Sequence, residues 1–136
     1  MAADPLVKLR ALCLAFPGAV EKEAWGEPTF RAPKIFAMHA AASNHHGAGR
    51  PAVWIKAMPA NQSLVIESDP ARYFKPPYVG PSGWIGVWLD TRPPWKEIAS
   101  LLEDGYRQAA SKKLLAEFDG FTAPAGAVQA PAPRRR

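Results

Sequence analysis

Prolines occupy fifteen of the 136 positions, and each one removes a backbone donor and blocks a helix from running through it. Helices must therefore be few and element boundaries frequent. Asp4-Pro5 has the form of an N-cap followed by a proline at the first helical position. Leu6, Leu9, Cys13 and Phe16 recur behind it at helical spacing until Pro17-Gly18 stops the run, which predicts a helix over Pro5–Phe16. Three strand-like segments follow, at Val20–Trp25, Thr29–His39 and Ala52–Met58. Pro33 makes the middle one an edge, a bulge or a turn between two strands. In the third, Val53, Ile55 and Ala57 alternate with Trp54, Lys56 and Met58, the period-two pattern of a half-buried strand. Ala40–Pro51, rich in Ser, Asn, His and Gly, reads as a flexible hairpin loop.

Further along, Pro59–Ile66 fits either a short helix or a return strand, and Asp69-Pro70 opens a turn or helical turn through Phe74. Trp84–Leu89 is the clearest strand, with Ile85, Val87 and Leu89 on one face and Trp84, Gly86 and Trp88 on the other. Pro93-Pro94 introduces the longest helix, whose apolar stripe is Trp95, Ile98, Leu102, Tyr106 and Ala109, and Lys112–Phe118 extends it after a break. The Ala, Pro, Gly and Val residues from Thr122 onward predict a disordered basic tail. The expected organisation is one domain over residues 1–121 and a tail over 122–136. Its fold class is α+β, a two-layer sandwich in which N- and C-terminal helices pack on the same face of an antiparallel sheet. Leu6, Leu9, Phe16, Ile85, Val87, Leu89, Ile98 and Leu102 form the expected core.

One cysteine excludes a disulfide framework and a thiolate zinc site. The apolar runs are too short to span a membrane, and Met1–Pro5 lacks the basic-then-apolar layout of a secretory signal. The expectation is a cytoplasmic monomer without cofactor or metal. Seventeen Lys and Arg stand against twelve Asp and Glu, but three of the cations are the terminal Arg134–Arg136, which leaves fourteen against twelve. So small an excess does not make the whole domain a polyanion binder. Its distribution says more: Pro28 to Ile66 contains no acid, while Arg31, Lys34, Arg50 and Lys56 fall within it together with all three histidines.

Several strings, taken in order, resemble a known family. Leu14-Ala15-Phe16-Pro17-Gly18-Ala19-Val20 leads to Trp25-Gly26-Glu27-Pro28-Thr29-Phe30 and Lys34-Ile35-Phe36-Ala37. Asp69–Phe74, Pro77–Gly80 and Gly83–Leu89 follow, and the closing helix carries Tyr106–Leu115. Over roughly residues 6–118 this order and spacing look like the MmcQ/YjbR family. The resemblance implies a small frataxin-like (CyaY-like) α+β domain that binds DNA through a double-wing motif of β-hairpins, with no catalytic residues to carry over. Tyr106 stands where relatives often have Trp, and the Ala40–Pro51 loop is longer than the usual family hairpin.

Arg31, Lys34, Arg50 and Lys56 lie on or beside the expected hairpins, where they would meet phosphates without competing acids; the other reading is a solvated face. Lys112 and Lys113 join them as candidate DNA contacts, although cations near a helix C-terminus are favoured by the macrodipole alone. Trp54, Tyr73, Tyr78, Trp84 and Trp88 read either as core or as a partly open pocket for a planar ligand. Cys13 sits on an apolar stripe, and His45-His46 lacks further ligands at metal spacing. Gly80-Pro81-Ser82-Gly83 precedes a strand rather than a helix, the reverse of a nucleophile elbow. With no triad or carboxylate pair visible, the sequence predicts a non-catalytic DNA-binding protein. A small-molecule or partner-protein domain built on the aromatic pocket is the alternative.

Overall fold

Leu9 and Cys13, four residues apart and fully buried, seat helix α1 (Pro5–Leu14) against a six-stranded sheet. The structure is a computed structural model that describes residues 5–41 and 50–122. The strands are β1 (Val20–Ala24), β2 (Glu27–Arg31), β3 (Ile35–Ala40), β4 (Ala52–Ile55), β5 (Tyr73–Phe74) and β6 (Ile85–Trp88). Their spatial order is β1-β2-β3-β4-β6-β5, and every neighbouring pair is antiparallel. Helix α2 (Pro59–Ser68) connects β4 to β5, while α3 (Trp95–Ala109) and α4 (Lys112–Thr122) follow β6.

The expected α+β arrangement is present, with α1 and α3 on one face of the sheet. Leu9 from α1 and Ile98, Leu102 and Tyr106 from α3 share one core with Val53, Ile55, Ile85 and Val87 of the central strands. Burying an aliphatic side chain of this size stabilises by about 1.5–3 kcal/mol. Leu89 is buried as expected, whereas Leu6 and Phe16 are only half-buried. Phe16 lies beyond the end of α1, stacked on the Tyr106 ring at 4.6 Å, and the Tyr106 hydroxyl donates to the Pro17 carbonyl at 2.7 Å. Trp54 and Trp84 face the other way, as the alternation requires, and with Met38 begin a second apolar cluster on the side without α1 and α3.

Two open local readings resolve and two expectations change. Residues 59–68 are helical although none of their side chains is buried, so no apolar stripe marks them. Tyr73–Phe74 is an edge strand rather than part of a turn, because it pairs with Val87 and Gly86. Pro33 stands in the turn between β2 and β3. Trp25 is no strand residue: Trp25-Gly26 is a two-residue hairpin turn between paired Ala24 and Glu27, with φ 56° and 78°, the two positive angles of a type I′ turn. The tail 123–136 and loop residues 42–49 lie outside the described residues. Among the described residues no helix is long and apolar enough to cross a membrane.

Candidate nucleic-acid interface

Phe30 pairs with Ala37 but Arg31 pairs with Ile35, so Phe36 is an extra residue on β3. An inserted residue of this kind reverses which face the strand presents beyond it. Phe36 and Ala37 therefore both enter the helix-side core. Ile35 turns to the same face as Met38, three positions away, which a regular strand would have kept opposite. Arg31, directly across from Ile35, shares that open face and donates from Nε to Thr29 Oγ1 at 3.0 Å.

The turn after β2 is tied to the junction between α3 and α4. Ser111 N–H donates to the Ala32 carbonyl at 3.1 Å, and Pro33 forms an isolated bridge with Ala110. Gly105 lets α3 come this close: a Cβ there would stand 2.8 Å from the Lys56 carbonyl and 3.2 Å from that of Phe36. Exposed Lys34 is thereby brought to exposed Lys112 and Lys113, which are far away in sequence. Half-buried Lys56 joins the same end of the sheet, its N–H donating to the Phe36 carbonyl at 2.9 Å. Among the described residues none of Lys34, Lys56, Lys112 and Lys113 forms an ion pair.

Arg50 does not belong to this group. It precedes the far end of β4, six residues from Lys56, a separation of about 20 Å along an extended chain. Its guanidinium grips Asp90 with Nε to Oδ2 at 2.9 Å and Nη2 to Oδ1 at 2.8 Å, and lies 4.2 Å from the Trp88 ring centre. That hydrogen-bonded cation holds the Asp90 carboxyl below the usual carboxylate range. Lys112 and Lys113 also differ from expectation. They begin α4 rather than close a longer helix, and there the macrodipole opposes positive charge. Ser111 caps that helix, its hydroxyl accepting from Leu114 N–H at 3.2 Å.

The open face carries a cavity of about 410 Å³ lined by Trp25, Ile35, Met38, Trp54, Tyr78, Val79 and Trp84. Of the expected pocket residues, Trp54, Tyr78 and Trp84 line it. Tyr73 does not; it lies in the helix-side core and donates its hydroxyl to Glu97 at 2.5 Å. Trp88 does not either, being stacked on Phe74 at 3.9 Å. Trp25, Ile35, Met38 and Val79 escaped the sequence reading. A Trp-Gly pair between two strands was the available signal for Trp25, since a Gly-containing dipeptide there marks a tight hairpin. The face reversal at Phe36, which brings in Ile35, has no local signature.

Other reactive side chains are held structurally. Burial pushes the Cys13 thiol up, away from thiolate chemistry. His39 Nδ1 lies 3.1 Å from Glu27 Oε1 in a buried pair, and Glu27 Oε2 accepts from Ala41 N–H at 2.7 Å. Among the described residues no three His, Cys, Asp or Glu side chains gather as metal ligands. His45, His46 and Arg134–Arg136 lie outside the described residues.

The sequence profile of the YjbR family matches residues 14–108. A Deinococcus radiodurans protein carrying the domain family DUF419 has a similar fold, with TM-score 0.65 and 15% identity over 85% of this chain and 86% of that one. A Pseudomonas syringae protein is comparably similar, with TM-score 0.62 and 17% identity over 79% of this chain and 99% of that one. No curated protein matches.

Proposed function

The chain belongs to the YjbR family, and from that premise we propose that it is a non-catalytic nucleic-acid-binding domain whose phosphate contacts are Arg31, Lys34, Lys56, Lys112 and Lys113. One observation carries the reading: the Ser111–Ala32 hydrogen bond gathers two separated cationic segments at one end of the sheet, with no acid neutralising the lysines among the described residues. Two of those lysines sit where the dipole of α4 disfavours them, which is unexpected of a merely solvated face. The mode differs from a pair of hairpin wings, because Arg50, beside one hairpin, is occupied by Asp90. Phosphate contacts position a nucleic acid without reading its sequence.

The test is affinity for DNA measured across salt concentration. Each phosphate neutralised contributes a log–log slope of about −0.7 on single strands and −0.9 on duplex, so five contacts give roughly −3.5 to −4.5. Absence of binding at low salt overturns the reading. A second reading, a small-molecule or partner-protein domain, draws on the aromatic cavity and predicts binding that is nearly independent of salt.

A further inference from the structure

The cavity lies along the open face from Trp25 at the β1–β2 turn to Ile35 at the end bearing Arg31. Its floor is β3 and β4, through Met38 and Trp54, and its far wall is Tyr78, Val79 and Trp84. Two of its aromatic residues are displayed at a conformational cost. Trp25 and Tyr78 have φ of 56° and 65°, a region that side-chain-bearing residues avoid, and are 64% and 73% exposed. Neither recovers that cost by burial. Strained residues held open beside a concavity point to a ligand, and two exposed rings above buried Trp54 and Trp84 suit a planar one.

Charge selects among planar ligands. Arg31 is directly across from Ile35, and Lys56 follows β4 immediately, so cations flank the Ile35 end of the cavity without lining it. The same charge continues past the cavity to Lys34, Lys112 and Lys113, more than a single small anion would use. A planar ring attached to a row of regularly spaced anions matches both features.

We propose that this cavity takes one unpaired base of a single-stranded nucleic acid, stacked against exposed Trp25 and Tyr78 over the buried Trp54 and Trp84, while Arg31 and Lys56 meet its flanking phosphates. The assignment rests on the phosphate reading of the cationic end and adds a preference that phosphate contacts alone cannot give. A base paired within a continuous duplex is stacked on its neighbours and does not enter the cavity. The protein therefore favours single strands, through stacking that tolerates any base.

The experiment compares four probes at fixed salt: an oligothymidylate, a strand of the same length with abasic sites, a duplex of that length, and free thymidine monophosphate. The parent binds oligothymidylate about tenfold more tightly than the abasic strand, the effect of roughly one stacked base. Trp25→Asn reduces this preference several-fold and leaves abasic affinity unchanged. The same change leaves the fold at least as stable, because Asn-Gly is the preferred pair for a type I′ turn. Trp25→Phe, which keeps a ring, retains part of the preference. Equal binding of thymidylate and abasic strands overturns the base assignment and leaves the phosphate reading standing. Saturable binding of free thymidine monophosphate without any oligonucleotide preference also overturns it, in favour of a small-molecule pocket. If no polyanion binds at low salt, both readings fall.

Discussion

Ser111 donates its backbone N–H to the Ala32 carbonyl at 3.1 Å, which joins the start of α4 to the turn between β2 and β3. This contact creates the cationic end: Lys34 comes from one side of it and Lys112 and Lys113 from the other. The register of β2 on β3 supplies Arg31, and the strand after Trp54 supplies Lys56.

The proposed DNA contacts and stability pull in opposite directions at the start of α4. Replacing Lys112 and Lys113 by Gln removes charge that the helix dipole opposes, and should raise unfolding stability by about 0.3–1 kcal/mol per residue. The same variant should bind DNA more weakly. Denaturant unfolding and a binding titration check the two signs; a variant that loses stability would contradict the placement of these lysines at the head of the helix.

Arg50→Ala should leave DNA affinity close to that of the parent, since Asp90 already holds the guanidinium with two hydrogen bonds. Lys34→Ala should weaken binding clearly. Equal losses in the two variants, measured by anisotropy, would return Arg50 and its hairpin to the interface.

Gly105→Ala should destabilise the fold by about 1–3 kcal/mol through overpacking, because the added methyl would meet the carbonyls of Lys56 and Phe36. Chemical denaturation measures this. An unchanged midpoint would mean that α3 does not lie so closely on β3 and β4.

Much of this fold is legible in the sequence, and the rest fails for identifiable reasons. Ile98 and Leu102 on α3 and Ile85 and Val87 on β6 declare their faces because each period is set by one partner surface. Residues 59–68 bury nothing, so their helix leaves no stripe to read. The break before Lys112 is readable, but its cause is tertiary: Ala110 and Ser111 contact a turn nearly eighty residues earlier. Arg50 is written as a hairpin cation, and only the fold reveals Asp90 forty residues away as its partner. Trp54 and Trp84 are readable as a pocket pair, but Ile35 reaches them only through the extra residue Phe36. Tyr73 looks like their companion in sequence and faces the opposite core.

Alkaline pH should unfold the protein progressively. Burial and the hydrogen bond to Glu97 push the Tyr73 phenol up to about 12, and burial also raises the Cys13 thiol. Both groups hold their protons more tightly folded than unfolded. Their stabilisation is complete below the ordinary values of about 8.5 for Cys and 10 for Tyr, and is lost as pH rises toward 12. Tyr73→Phe should flatten the fall in melting temperature above about pH 10. An unaltered pH dependence in that variant would exclude the phenol as a contributor.

The most direct test of the cationic end compares two variants with equal loss of charge. One changes Lys34, Lys112 and Lys113 to Ala; the other changes Lys8, Arg92 and Lys96 to Ala, none of them at that end. The measurement is the slope of log affinity against log salt for one DNA strand. The first variant should lose about 2 to 3 units of slope and the second almost none. Equal loss in both would mean that attraction is spread over the whole molecule, and would contradict the site.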